Sequence, residues 1–255
     1  MQEKQTAPFI FASDFDNTLF FHDGTGFHEP DLEAIRSWQD RGNLFGLCSG
    51  RCLQHLQEEF LPLMERAGLR PDFYICSSGA VVADSRGRLL SEHTMSRETV
   101  EESVRRCGEA LVVHSSRGLF SLGKIWEPYV LLASVPEEVK LYGFTTWNQE
   151  GKRVETAGIP VDSWANDTTV DYTPAGVSKG TGLNELCRIC GFDISRTAGM
   201  GDSWNDIPLL EAASYGFTFT SGPNTVKNVA AYTVGSIGEA LQKVTEIERF
   251  QTERV

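Results

Sequence analysis

The sequence predicts an α/β fold, in which a doubly wound parallel sheet forms the core and an α+β segment is inserted into it. Short apolar runs alternate with helical segments over the first 80 residues, and the same alternation returns after Pro174. Strands of continuous apolar residues separated by helices are typical of a parallel sheet covered on both faces. The stretch in between contains turn sequences and short β-rich pieces instead, which indicates an inserted α+β unit.

Both halves of the predicted core follow this alternation. In the first half we expect strands over residues 9–13, 44–48 and 73–76, with helices over 30–39 and 52–67. In the second half we expect helices over 179–190 and 237–244, a short helix after Pro208, and strands over 196–200, 215–219 and 232–234. Gly68 and Gly191 support two of the helix ends, because glycine is favoured directly after a helix.

The insertion is predicted from its turns and its shorter apolar pieces. A hairpin turn is expected at Asp84-Ser85-Arg86-Gly87, a helix over 97–110, and strands over 111–114, 129–134 and 142–146. We therefore assign residues 1–82 and 176–255 to the core and residues 83–175 to an inserted domain.

The composition indicates an acidic protein with enough apolar residues for a packed interior. Of the 255 residues, 40% are hydrophobic, and the net charge is −12. This charge argues against nucleic acid or an anionic membrane as a partner. The sequence has no apolar run of the roughly 20 residues that span a bilayer and no recognisable signal peptide. We therefore expect a cytoplasmic protein that is a monomer or a weak homodimer.

Polar and charged side chains recur where predicted parallel strands end. Because ligands of open α/β sheets bind at the carboxyl ends of the strands, we expect these side chains to meet at one site. The set comprises Asp14 and Asp16 after the first strand, Ser49 and Gly50 after the second, Asp202 and Asp206 after the strand over 196–200, and Lys179 at the start of a helix.

The chemistry of these residues favours phosphoryl transfer. Asp14 would attack phosphorus and form an aspartyl-phosphate, while Asp16 would protonate the leaving oxygen and then activate water. Mg²⁺ suits an all-oxygen site, and we expect Asp14, the backbone carbonyl of Asp16 and Asp202 to hold it. Lys179 would neutralise charge on the phosphoryl group and on Asp14, which an acidic chain requires for a phosphorylated substrate.

The other members of the set have roles with stated alternatives. The Ser49 hydroxyl and the Gly50 amide are expected to donate to phosphate oxygens. Arg51 is assigned to the phosphate as well, although an exposed arginine in the first turn of a helix fits equally. Asn205 is assigned to the phosphate site or to orienting the lysine. Asp206 is assigned to the metal, either as a ligand or as a partner of the metal's waters.

The motifs resemble those of the haloacid dehalogenase superfamily. Asp14-x-Asp16-x-Thr18 is similar to the first motif, Ser49-Gly50 to the second, Lys179 to the third, and Gly201-Asp202-Ser203-Trp204-Asn205-Asp206 to the fourth. The run Gly176-Val177-Ser178-Lys179-Gly180 after the insertion is similar to the Cof-type subfamily, although Ser78-Gly79-Ala80 stands where that subfamily often has Asn-Gly-Ala. The resemblance implies a Rossmann-like core with an α/β cap after the third strand.

This resemblance implies a Mg²⁺-dependent phosphatase acting on a small phosphorylated metabolite, first of all a sugar phosphate, with pyridoxal phosphate and flavin mononucleotide as other substrates. Superfamily members that preserve the aspartyl-phosphate carry Thr two residues after the nucleophile, so Asp16 favours protonation of an alkoxide. A phosphomutase is one alternative, and a regulator that binds a phosphorylated ligand without turnover is another. Candidate selectors of the substrate within the insertion are Arg117, Lys124 and Trp126. No histidine is assigned a role.

Overall fold

The computed structural model describes residues 7–107, 111–122, 130–147, 156–166 and 168–252. The strands are β1 (Ile10–Ser13), β2 (Phe20–Phe21), β3 (Gly26–Phe27), β4 (Leu44–Cys48), β5 (Phe73–Cys76), β6 (Val81–Asp84), β7 (Leu89–Glu92), β8 (Leu111–Ser115), β9 (Gly118–Leu122), β10 (Leu141–Trp147), β11 (Val161–Ala165), β12 (Thr169–Pro174), β13 (Thr197–Met200), β14 (Tyr215–Phe219) and β15 (Tyr232–Val234). The helices are α1 (Glu29–Asp40), α2 (Leu53–His55), α3 (Leu61–Arg66), α4 (Arg97–Cys107), α5 (Lys179–Cys190), α6 (Ile207–Ala212), α7 (Asn224–Lys227) and α8 (Ile237–Thr252), with a π-helical segment, Leu56–Phe60, between α2 and α3.

An eight-stranded sheet forms the core, in the order β15-β14-β13-β1-β4-β5-β6-β7. The strands from β15 to β5 are parallel, and β6 and β7 are antiparallel. The chain continues from β1 to β4 and β5 on one side, and β13, β14 and β15 lie on the other. A crevice is expected at the carboxyl end of β1, where the strand order reverses. The predicted α/β class with a Rossmann-like parallel core is confirmed.

Alternate residues of the central strand face opposite helical layers. Phe9 and Phe11 pack in one apolar cluster with residues of α1 and α8. Ile10 and Ala12 pack in a second cluster with residues of α5 and α6. Because a strand covered on both faces buries every side chain, this arrangement accounts for the uninterrupted apolar run that precedes Asp14.

A five-stranded antiparallel sheet, in the order β11-β12-β10-β8-β9, forms the second unit, which we call the cap sheet. One of its faces contributes Val113, Phe144, Val170 and Tyr172 to an apolar cluster that also contains Val100 of α4. The other face is therefore the one left to meet the core.

The structure changes two details of the predicted insertion. Its predicted start at residue 83 falls inside β6, and the hairpin of β6 and β7 pairs with β5, so the core sheet extends to Glu92. The tight turn Ser77–Gly79 causes this, because it reverses the chain directly after β5. The strand predicted over 129–134 is wrong for its described residues, since Leu132–Ser134 forms a 3₁₀ turn.

Several elements were absent from the sequence prediction or shorter in it. Strands β9, β11 and β12 of the cap sheet were not predicted, and the closing helix continues to Thr252 rather than ending at residue 244. Among the residues that the structure describes, no helix combines the length and the apolar character needed to cross a membrane.

Helix α5 approaches α6 closely near its N-terminus, and Gly180 permits this approach. A Cβ atom at Gly180 would lie 2.1 Å from the Pro208 carbonyl oxygen. We expect Gly180→Ala to lower the free energy of unfolding by about 1–3 kcal/mol, measured by urea denaturation, because backbone must move to admit the methyl group. The control Asn184→Ala changes an exposed position of the same helix and should stay within about 0.5 kcal/mol of wild type. Equal stability of the Gly180 variant and the control would contradict this account.

Candidate active site

Lys179 lies at the buried centre of the candidate site. It is the first residue of α5, whose N-terminus is closed by reciprocal hydrogen bonds between Ser178 and Thr181. Its Nζ donates to Asp14 Oδ1 at 2.6 Å and to Asp206 Oδ1 at 2.5 Å. The Lys179 side chain is only 1% exposed. The structure thus brings together residues that stand 165 positions apart in the sequence.

Carboxylates converge around this ammonium group. Oxygens of Asp14, Asp202 and Asp206 all lie within 4.8 Å of one another. The second oxygen of Asp206 accepts the backbone N–H groups of Asp202 and Ser203, each at 3.1 Å, so both of its oxygens have partners. Asp202 Oδ1 accepts the Thr18 hydroxyl at 3.1 Å. Asp14 and Asp202 therefore each accept fewer hydrogen bonds from protein donors than Asp206 does.

Negative charge exceeds positive charge in this cluster. Burial raises the pKa of Asp14, and Asp206 and Asp202 add to the effect of burial, although Lys179 opposes it. Burial together with Asp206 raises the pKa of Asp202 to about 6. Burial alone would lower the pKa of Lys179, but Asp14 and Asp206 outweigh it and hold that pKa well above its usual value. The lysine stays charged, and the remaining carboxylates favour a further cation.

Asp16 has different partners from Asp14. Arg51 grips its carboxylate with two nitrogens, Nη2 to Oδ1 at 2.7 Å and Nε to Oδ2 at 2.8 Å. His22, from the β2–β3 hairpin region, lies 2.6 Å from Oδ1. Burial opposes ionisation of Asp16, but the hydrogen bonds and charge of Arg51, with help from His22, outweigh it and lower the pKa of Asp16. In the structure, therefore, Asp16, the predicted general acid, is paired with Arg51, which was predicted to bind the phosphate.

The remaining predicted residues lie close to this centre. The buried Ser49 Oγ accepts the backbone N–H of Arg51 at 3.1 Å. A Cβ atom at Gly50 would lie 2.6 Å from Asp171 Oδ2, so a larger residue cannot replace this glycine without movement. Asn205 is buried, and its Oδ1 has no hydrogen-bond partner among the described residues. An unpartnered buried acceptor is costly, so this oxygen is a candidate contact for a ligand.

A cleft of about 350 Å³ separates these residues from the cap sheet. Its floor includes predicted residues of the core, and its roof consists of side chains of the cap. The floor includes Asp14, Asp16, Gly50, Arg51 and Asn205, and the roof includes His114, Thr145 and Asp171.

Three histidines and two further residues of the cap line the cleft without having been predicted from the sequence. His22, His55 and His114 line the cleft, although the sequence prediction gave no histidine a role. Thr145 and Asp171 also went unnoticed, and β12, which carries Asp171, was not predicted as a strand. Had β12 been recognised, the alternation of side chains between its two faces would have separated Asp171 from Val170 and Tyr172.

The predicted selectors of the substrate are not found in the described lining of the cleft. The Arg117 side chain is 60% exposed and its Nη2 donates to Glu138 at 3.1 Å. Lys124 and Trp126 lie outside the described residues.

Comparison with protein families identifies the chain's relatives. A family model described as haloacid dehalogenase-like hydrolase matches residues 11–126 and 158–240. A phosphoglycolate phosphatase of Methanosarcina acetivorans is 28% identical over 169 residues, which are 66% of this chain and 71% of the relative. The 5-amino-6-(5-phospho-D-ribitylamino)uracil phosphatase YcsE of Bacillus subtilis is 22% identical over 235 residues, which are 88% of each chain.

Solved structures share the fold. A phosphatase of the same superfamily from Bacteroides thetaiotaomicron superposes with a TM-score of 0.80 at 19% identity, covering 96% of this chain and 97% of its own. A sugar phosphatase of subclass IIB superposes with a TM-score of 0.75 at 20% identity, covering 95% and 98%. At this level of identity the likeness concerns the fold alone.

Removal of the buried ammonium group should destabilise the protein. We expect Lys179→Met to lower the free energy of unfolding in metal-free buffer by about 3–5 kcal/mol, because it leaves buried carboxylates without their counter-charge. Lys140→Met is a matched control, since Lys140 pairs with Glu92 at a half-exposed position and should cost under about 1 kcal/mol. Chemical denaturation measures both, and similar losses in the two variants would contradict the assigned role of Lys179.

Proposed function

The chain belongs to the haloacid dehalogenase-like hydrolase family, and we propose that it is a Mg²⁺-dependent phosphatase that hydrolyses a small phosphorylated metabolite, most of all a sugar phosphate. The observation that carries this proposal is the convergence of Asp14, Lys179, Asp202 and Asp206 at the carboxyl end of β1, where Asp14 lines a cleft. The phosphatases among the relatives support the reaction class.

The donor set of the cluster fits Mg²⁺. All the side-chain donors are carboxylate oxygens, which this ion prefers, and the excess of negative charge matches a divalent cation. Asp14 and Asp202 would hold the ion together with the Asp16 carbonyl oxygen, which accepts no hydrogen bond from the described residues. Asp206 would hold Lys179 and the loop instead. When bound, Mg²⁺ would neutralise charge on the phosphoryl oxygens.

The first step transfers the phosphoryl group to the protein. Asp14 Oδ attacks phosphorus, a bond forms between this oxygen and phosphorus, and the bond from phosphorus to the ester oxygen breaks. The departing alkoxide takes a proton from Asp16. Lys179 stays beside Asp14 and offsets the negative charge that the phosphoryl group brings into a buried site.

The second step regenerates the protein. Asp16, now a carboxylate, accepts a proton from a water molecule that attacks phosphorus. The bond from phosphorus to Asp14 breaks, inorganic phosphate leaves, and Asp14 is again a carboxylate. Ser49 and the Gly50 amide would donate to phosphoryl oxygens in both steps.

The pairing of Asp16 with Arg51 adds a requirement to this two-step reaction. An acid must carry a proton, and the grip of Arg51 favours the ionised carboxylate. Phosphate is a competing partner for the same bidentate guanidinium. In this proposal a bound phosphoryl group replaces Asp16 as the partner of Arg51. Asp16 is then able to take up a proton and turn to the ester oxygen.

Asp14→Asn tests the nucleophile. We expect the variant to lose at least about 10³-fold in kcat on p-nitrophenyl phosphate with Mg²⁺, because an amide oxygen does not form the covalent intermediate. Circular dichroism should show a folded protein, since the substitution removes one of several clustered carboxylates. Substantial activity in the folded variant would exclude the mechanism.

Metal removal tests the ion site. We expect Mg²⁺ to raise the melting temperature of the metal-free protein and to restore hydrolysis, because it binds the folded chain and relieves repulsion between carboxylates. Asp202→Asn should reduce the Mg²⁺-dependent shift, whereas Asp162→Asn, on β11, should leave it unchanged. An equal shift in both variants would place the ion elsewhere.

A further inference from the structure

The roof of the cleft is one face of the cap sheet. Along the central strands of the cap sheet, every second residue, such as Phe144 and Val170, lies in the apolar cluster beneath α4. The residues between them line the cleft, because successive side chains of a strand point to opposite faces. We call these the roof residues: Val112 and His114 of β8, Thr145 and Trp147 of β10, and Thr169 and Asp171 of β12.

A row of hydrogen bonds crosses the roof from strand to strand. The Thr145 hydroxyl donates to Asp171 Oδ1 at 2.6 Å, and His114 Nε2 lies 2.9 Å from the same hydroxyl oxygen. Because the only hydrogen of Thr145 points to Asp171, His114 Nε2 must be the donor in the second contact. The row therefore has a defined direction, from His114 through Thr145 to Asp171.

The row is tied to the core at its Asp171 end. The Ser78 hydroxyl donates to Asp171 Oδ2 at 2.9 Å, and this oxygen lies over Gly50. Ser78 has a left-handed backbone, with φ at 53°, which aims its hydroxyl from the turn after β5 towards the cap. Asp171 thus stands directly beside the proposed phosphate site, and Thr145 and His114 extend from it along the roof.

The row presents hydrogen-bond acceptors to the cleft. Since His114 uses Nε2–H on Thr145, its neutral ring leaves Nδ1 as an acceptor, and no described residue donates to it. Burial lowers the pKa of His114, which favours this neutral ring at pH 7. Asn205 Oδ1 on the floor has no partner among the described residues, and each carboxylate oxygen of Asp171 accepts one described side-chain donor and has capacity for another.

The charged residues of the cleft also favour a hydroxyl group of the substrate over a carboxylate. Its described lining includes Asp14, Asp16 and Asp171, and Arg51, already paired with Asp16, is its only arginine or lysine. A carboxylate on the substrate would meet Asp171 without a free permanent cation among these residues. A hydroxyl group, in contrast, donates to the acceptors that the row offers.

We propose that His114, Thr145 and Asp171 form a recognition row that binds hydroxyl groups of the leaving alcohol and rejects leaving groups that carry a carboxylate. This inference rests on the proposed phosphatase activity and adds the substrate class: polyhydroxylated phosphomonoesters whose leaving group is uncharged. His114 and Asp171 contact the substrate, and Thr145 is a positioning residue that holds both.

Matched substrate pairs test the proposal on the wild-type chain. sn-Glycerol 1-phosphate and 3-phospho-D-glycerate have the same configuration at C2 and differ only in a terminal CH₂OH or carboxylate. D-Glucitol 6-phosphate and 6-phospho-D-gluconate repeat this difference on a longer chain. We expect kcat/KM for the alcohol to exceed that for the acid by at least about 10-fold in one or both pairs, because unpaired polar groups and like charges penalise the wrong ligand. Equal or reversed values in both pairs would overturn the proposal.

A pair of adjacent threonines separates recognition from packing. Thr145→Val removes the hydroxyl that joins His114 to Asp171, and we expect the alcohol-to-acid ratio of kcat/KM to fall towards one. Thr146→Val is the matched control, because Thr146 lies on the opposite face of β10 and its Oγ1 has no partner among the described residues. The ratio should stay at the wild-type value in this control. Equal ratios in the two variants would overturn the role of the row.

Asp171→Asn gives a second readout, since it removes the charge and keeps the shape. We expect kcat/KM for 3-phospho-D-glycerate to rise relative to that for sn-glycerol 1-phosphate, and an unchanged ratio would exclude Asp171 as a discriminating group. Hydrolysis of p-nitrophenyl phosphate by the wild-type chain with Mg²⁺ distinguishes the two levels of inference. If that reaction is absent, the proposed function fails, whereas activity without the alcohol preference overturns only the recognition row.

Discussion

The ion contacts of one buried lysine hold the site together. Lys179 joins Asp14 at the end of β1 to Asp206, which follows β13. It belongs to α5, which packs against one face of the core sheet. Burying these charges is costly unless they neutralise each other, so the contacts fix the relative positions of the three segments. The excess of carboxylates that remains is what favours a divalent ion. Structure and chemistry therefore depend on the same ammonium group.

A second constraint acts across the cleft. The Ser78 hydroxyl of the core donates to Asp171 of the cap sheet, and the same carboxylate lies over Gly50 of the core. The cleft is thus enclosed by two sheets that touch at the place where a phosphoryl group would bind. Asp16 is gripped by Arg51 at the same place, so entry of an anion would alter several contacts at once. In the proposed mechanism, this arrangement would link substrate binding to the release of Asp16 from Arg51.

The core was predictable because its strands are buried on both faces and stand out as apolar runs, such as the one before Asp14. The candidate site residues of the core were found for a related reason, since parallel strands bring polar residues at their carboxyl ends to one edge. The cap was not predictable in the same way. Its strands β11 and β12 carry polar residues such as Asp162 and Asp171, which resemble loop residues in the sequence, and the partner of Asp16 depends on a side-chain rotamer.

The two faces of the cap sheet divide two tasks between neighbouring residues. Phe144 and Val170 maintain the apolar interior of the cap, while Thr145 and Asp171, one position away, contact the cleft. A substitution on the cleft face therefore leaves that interior intact. Families built on such a sheet can therefore exchange the residues of the cleft face while the apolar residues of the cap interior stay the same. The ancestry of such a protein would then be easier to trace from the residues of its cap interior than from the residues that determine its specificity.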